Sequence, residues 1–148
     1  MIDLAAFAAL VPADHGLCVL STTRPDGTVQ SSVVNAGVLR HPVSGVEVVA
    51  LVAAGGTRKL ANLRADPRAT IVVRAGWQWA TVEGSVDVVG PDDPMDGIDA
   101  EAHRALLRDV FRAAGGTHDD WDEYDRAMAH ERRAAVLINP TRIYTNPG

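Results

Sequence analysis

The residues best suited to chemistry in this chain are Gly55-Gly56-Thr57-Arg58-Lys59. The two glycines free the backbone for a close approach. Thr57 is a fair helix N-cap, and Arg58 to Ala65 reads as a short helix behind it. The charge order is inverted. Arg58 and Lys59 fall in the first turn, where the helix dipole disfavours cations by about 0.3–1 kcal/mol each. A bound anion removes that conflict, because free backbone N–H groups, a hydroxyl, a guanidinium and an ammonium then converge on one phosphate. The plain alternative is a pair of solvated cations at a tight strand-to-helix turn. The stretch has neither the GxxxxGK[ST] spacing of a P-loop nor GxGxxG.

No catalytic set assembles from the remaining reactive residues. His15, His41, His103, His118 and His130 are scattered, and none falls at HExxH spacing, so no metal site is expected. His118-Asp119-Asp120 reads as a helix start and Asp92-Asp93 as a solvated turn. No serine sits in a GxSxG elbow. Cys18 lies in an apolar run with no base beside it, which is the setting of a buried structural thiol. An enzyme with this inventory borrows its reactive group: a cofactor supplies the hard step, and the protein supplies binding, orientation and electrostatics.

Composition narrows the classes further. The 148 residues are long enough for one domain, 1–148, with a proper core. A net charge of −5 argues against a broad nucleic-acid footprint, while a local basic cluster still admits small anions. One cysteine excludes an intrachain disulfide and fits a reducing, cytoplasmic setting. The start, Met1 to Val11, has Asp3 where a signal peptide carries its basic residues, so it is expected to be a short helix capped by Asp3 and ended by Pro12. No apolar run approaches the roughly 20 residues that cross a bilayer.

The elements that must position the basic turn follow from periodicity. Strands are expected at His15–Arg24 and Thr28–Leu39, joined by the turn Pro25-Asp26-Gly27. Val46–Val52 leads into the glycines, Ala69–Arg74 follows the short helix, and Trp77–Val89 is a long strand with a bulge or bend at Gly84. The late part holds a helix at Ile98–Ala114 stopped by Gly115-Gly116, and a second one capped by Thr117 or Asp119. A last strand runs Ala134–Ile138 and resumes at Arg142 after Asn139-Pro140. Strands first, helices late and one closing strand define an α+β, mainly β fold. Its six-stranded antiparallel sheet is expected to close into a barrel with a few peripheral helices. Two strand features bear on binding. Gln30-Ser31-Ser32-Val33-Val34-Asn35 is small and polar for a central strand, which leaves room for a ligand or else marks an exposed face. Trp77 and Trp79 share a face, one suited to core or interface and the other to a pocket wall.

In this order, Gly16 to Thr22, Asp26-Gly27, Gly55 to Arg68, Trp79 to Gly84 and Ile138 to Tyr144 make the chain resemble a known family over nearly its full length. That family is the flavin- and deazaflavin-binding split β-barrel proteins related to pyridoxamine phosphate oxidase. The chain is most similar to the actinobacterial branch that uses the deazaflavin coenzyme F420. The resemblance implies a homodimer with the cofactor in a groove between two barrels. It implies that Thr57, Arg58 and Lys59, on the Gly55-Gly56 turn, hold the cofactor phosphate with Asn62 nearby. Ser31, Ser32, Val33 and Val34 would back the ring, and Trp79 with Trp77 would wall the pocket from the other subunit. The implied activity is an oxidoreductase that passes a hydride from F420 to a conjugated, electron-poor organic substrate. An FMN-binding oxidoreductase and a non-catalytic flavin or deazaflavin binder are the alternatives. The second strand departs from many relatives in lacking a proline and aromatic residues, which leaves the substrate open.

Overall fold

A computed structural model of the chain describes residues 3–147. The described residues form six strands and four α-helices, in the order α1 (Ala5–Leu10), β1 (Leu17–Thr23), β2 (Val29–Arg40), β3 (Glu47–Ala53), α2 (Arg58–Ala65), β4 (Arg68–Ala75), β5 (Gln78–Val89), α3 (Ala100–Ala113), α4 (Trp121–His130) and β6 (Ala134–Thr145). Every ladder is antiparallel, and the strands close in the order β1-β2-β3-β6-β5-β4 back to β1. The expected closed six-stranded barrel with peripheral helices is the observed one.

Two apolar clusters hold it. The barrel interior takes the inward residues of each strand, such as Leu20, Leu51, Ile71, Val82 and Ile138, and one end is plugged by Leu4, Phe7 and Val11. The second cluster lies outside the barrel, where Val48, Ala50, Ala135 and Leu137 meet Leu106, Leu107, Val110 and Tyr124. Strands β3 and β6 are therefore covered on both faces, which is why Val46–Val52 reads as a continuous apolar run. Strand β1 and the first part of β2 alternate between inward and outward residues, whereas Ala36 and Gly37 of β2 are both buried.

Local signals explain the connections. At the β1–β2 turn the Asp26 carboxylate accepts from the Thr28 backbone N–H at 3.0 Å, and Gly27 takes the left-handed backbone that the turn demands, with φ +86. His41 is buried beside the β2–β3 turn. Its Nδ1 accepts from the Val43 N–H at 3.1 Å, so Nε2 carries the proton towards Asp87 at 2.9 Å.

Three boundaries differ from the expectation. Asp3 accepts from the Ala5 N–H at 2.8 Å one residue ahead of the cap position, which is Leu4, and a 3-10 turn over Val11–Asp14 continues past Pro12. Helix α4 is capped by Asp120, which accepts from the Glu123 N–H at 3.1 Å, rather than by Thr117 or Asp119. Strand β6 runs unbroken through Asn139-Pro140. Its register against β5 shifts between Glu83 and Gly84, so the proline falls where one residue bulges out of the ladder. Gly84 is required there, because a Cβ would stand 2.0 Å from the Asn139 carbonyl oxygen. No helix among the described residues is long and apolar enough to cross a membrane.

Candidate functional site

Strand β3 ends at Ala53, and the chain turns through Ala54-Gly55-Gly56 into α2. The two glycines serve different ends. A Cβ on Gly55 would stand 2.8 Å from the Arg132 carbonyl oxygen, so Gly55 lets the turn lie against the end of α4, where its N–H donates to Glu131 O at 3.0 Å. Gly56 faces open space but has φ +80, the left-handed region that glycine enters without strain.

Thr57 holds the N-cap position with an extended backbone, but the expected side-chain cap is not made. Its hydroxyl donates back to the Ala54 carbonyl at 3.0 Å. The first backbone bond of this turn is Ala61 N–H to Thr57 O at 3.2 Å. The amides of residues 58–60 thus precede the helical ladder without a side-chain acceptor, and the N-terminus keeps its positive end undressed. Arg58 is exposed and Lys59 half-buried. Among the described residues neither forms an ion pair. Their neighbours behave otherwise: Arg64 pairs with Asp93 at 2.7 Å and Arg68 with Asp66 at 2.8 Å. Of the three cations of α2, the two without an acid partner are the two at the unfavourable end of the helix.

Thr57 and Lys59 open onto a cavity of about 400 Å³. Val33, Val34 and Asn35 of β2 form one wall, and Phe111, Tyr124 and Arg133 from the late helices and the α4–β6 turn form the other. A mostly apolar lining with a few polar groups, Lys59 among them, is the usual make-up of a small-molecule pocket, and Arg58 lies outside that lining. Tyr124 is a wall and not an acid here, since its hydroxyl donates to Leu107 O at 3.0 Å and burial pushes its ionisation above the ordinary range.

The remaining candidates do not line this cavity. Ser31 and Ser32 do not line the cavity; Ser31 shares a 2.8 Å hydroxyl contact with Ser21 on the outer face, and Ser32 points to the other side of the strand. Asn62 is buried inside α2, its amide donating to Thr22 at 3.1 Å and Gln30 at 3.0 Å, with Oδ1 unpartnered. Trp77 and Trp79 border a separate depression at the β4–β5 hairpin with Val72 and Arg74. Trp77 is 93% exposed, and Trp79 stands edge-on to Tyr144 with ring centroids 6.2 Å apart. Within one chain the tryptophans do not meet the cation turn.

Phe111, Met128 and Arg133 were not among the sequence candidates. Their signal lay in two glycines. A Cβ on Gly37 would stand 2.2 Å from the Ala113 carbonyl oxygen, and one on Gly16 would stand 2.4 Å from that of Ala114. These glycines mark the line along which α3 presses its backbone onto β2, and so where the cavity gains its second wall.

The barrel architecture agrees with what comparison with known proteins finds. The chain belongs to the pyridoxamine 5'-phosphate oxidase family, whose model matches residues 4–146. A conserved hypothetical protein of Mycobacterium tuberculosis is 21% identical with a TM-score of 0.69, covering 98% of this chain and 84% of that one. An F420 reductase is 20% identical with a TM-score of 0.60, covering 92% and 94%. A pyridoxamine 5'-phosphate oxidase-related, FMN binding protein of Nostoc punctiforme is 12% identical with a TM-score of 0.70, covering 98% and 84%. At such identities the likeness speaks for the fold.

Proposed function

We propose that this chain is an oxidoreductase that holds a phosphate-bearing flavin-type cofactor, coenzyme F420, on the turn Gly55-Gly56-Thr57-Arg58-Lys59. The observation that carries the reading is the pairing of an uncapped helix N-terminus with two cations that have no acid partner. A phosphate fits that set by charge and by donor count. Arg58 offers a planar fork to two oxygens, Lys59 a point charge from the cavity side, and the amides of residues 58–60 the fixed dipoles. Thr57 joins them by releasing Ala54. When bound, such a cofactor supplies hydride transfer to a conjugated, electron-poor organic acceptor. The chain's own part is to fix the phosphate, hold the ring against Val33 and Val34 of β2, and keep water from the reacting face with Phe111 and Tyr124.

The reading includes a homodimer. Leu17, Val19, Val33, Trp77 and Tyr144 are all more than a third exposed on the outer sheet face. Val19 lies between Val33 and Val72 across the ladders, so the apolar surface is continuous. Soluble monomers seldom leave such a patch uncovered. A second copy seated on it brings Trp77 and Trp79 towards the Ser31–Val34 strand of its partner, where they wall the ring.

FMN is the second reading, because its single phosphate suits the same turn and an FMN binding protein shares the fold with a TM-score of 0.70. Titration of the purified protein with F420 and with FMN, followed by fluorescence quenching, decides between them. Saturable binding of F420 in preference to FMN is expected. Binding of neither removes the cofactor reading altogether.

A further inference from the structure

A second cavity of about 450 Å³ lies on the far side of α4, between the β5–α3 loop and the two late helices. Met128 and Arg133 border both cavities and so partition them. The floor of the second cavity is apolar: Val89, Met95, Ile98, Leu107 and Met128. Two thioethers in one small chamber make a soft, polarisable wall suited to a flat ring. His103 adds an uncharged imidazole, because burial pushes it below its ordinary range.

The outer wall is built in advance. Gly90 and Asp93 exchange backbone hydrogen bonds at 3.1 and 3.0 Å, and the Ile98 N–H donates to Met95 O at 3.1 Å. Arg64 grips Asp93 through two nitrogens at 2.9 and 2.7 Å, and Arg132 grips Asp92 in the same bidentate way. A wall tied to α2 on one side and to the α4–β6 turn on the other loses little freedom when a ligand enters.

The charges at the mouth select the ligand's polar group. Asp125 is held by two nitrogens of Arg108, Asp93 by Arg64, and Asp99 caps α3 through the Ala102 N–H at 2.8 Å. Arg132 is taken by Asp92 and Arg133 by Glu131. Arg104, exposed at the rim, makes no hydrogen bond or ion pair among the described residues. The acids are engaged, and one cation is free to donate. We propose that this cavity binds an amphipathic organic monoanion, a ring-sized apolar body bearing one carboxylate or sulfonate, with the body between Met95 and Met128 and the anion on Arg104. The site is separate from the cofactor turn and does not depend on it.

The test uses 8-anilinonaphthalene-1-sulfonate as probe and N-phenyl-1-naphthylamine as its uncharged counterpart. The chain has three methionines, two of which line this cavity, so methyl-labelled methionine reports occupancy directly. Expected is saturable sulfonate binding that shifts the Met95 and Met128 methyl signals. Arg104→Glu should raise the sulfonate Kd by about ten-fold or more, the size of one charge-assisted contact, and leave the uncharged probe's Kd unchanged. Met95→Trp should abolish binding of both by filling the chamber. Ala100→Trp, at an exposed position on the same rim, does so if the Met95 variant fails to fold. Unmoved Met95 and Met128 signals, or an unchanged sulfonate Kd in Arg104→Glu, overturn the proposal.

Discussion

Replacing Arg58 and Lys59 by alanine should move affinity and stability in opposite directions. In the free protein each cation faces an uncapped helix N-terminus, a placement that costs about 0.3–1 kcal/mol. Arg58 is exposed and makes no ion pair or side-chain hydrogen bond among the described residues that its removal would forfeit. Arg58→Ala should therefore stabilise the ligand-free fold by roughly that amount, a rise of about 1–4 °C in Tm for a domain near this size. Lys59 gains less, since its half-buried stem covers apolar wall that alanine leaves open. With the cofactor present the sign reverses. Two charge-assisted contacts to phosphate are each worth about 1.5–3 kcal/mol. Their joint loss should weaken binding by about 100- to 10,000-fold.

Differential scanning calorimetry of the free protein and a fluorescence titration with F420 measure the two halves. A double variant that melts higher and binds far more weakly is the expected pair of results. A double variant that binds within about three-fold of the parent refutes the phosphate assignment, because no arrangement of the remaining donors replaces both charges. Salt gives an internal control: the parent's affinity should fall with ionic strength, and the double variant's should hardly change.

Further outcomes follow from the packing. Gly37→Ala sets a Cβ 2.2 Å from a backbone oxygen of α3 and should cost about 1–3 kcal/mol in urea unfolding; Gly45→Ala, with open space but φ +74, should lose only about 1–2 kcal/mol. Trp77→Ala removes a side chain that is 93% exposed, so monomer stability should hold while sedimentation shows a weakened dimer. A dimer that survives both this change and Val19→Asp does not use this face. Burial pushes the Cys18 thiol from its ordinary 9.0 up to about 12. Between those values the unfolded chain gives up the proton and the folded one keeps it, so stability falls as pH rises, by about 1.4 kcal/mol per pH unit. Cys18→Ala should flatten that slope relative to the parent in denaturant titrations from pH 8 to 11.

The barrel was legible because its signals are local. Pro25-Asp26-Gly27 specifies a hairpin, and the β-branched run at Val46–Val52 ends on two glycines at the strand's real end. Gly84 marks the place of the bulge, although the extra residue, Thr141, is on β6 and not on β5 as expected. Caps were less legible. Asp119 and Asp120 are chemically equivalent, and the choice between them follows from where α4 must begin to place Tyr124 against Leu107. The gap expected at Asn139-Pro140 failed for a related reason: proline breaks a ladder only where an N–H is needed, and here the bulge removes that need.

The site divides along the same line. Its proposed cationic half is contiguous in sequence, so residue types and charge order single out the turn Thr57-Arg58-Lys59, of which Thr57 and Lys59 border the cavity. Its second wall comes from α3 and α4, some fifty to seventy residues later in the chain, and no periodicity says which strand a late helix will cover. What does say so is the absence of side chains: Gly16 and Gly37 lie where Ala114 and Ala113 approach closest, and any residue with a Cβ would hold α3 off the barrel and open the cavity to water. The helix that presses on those glycines also carries Phe111 to the cavity and His103 to the second chamber. One packing contact therefore sets the dimensions of both, so displacing α3 should disturb both sites while leaving the charges at Arg58 and Lys59 in place.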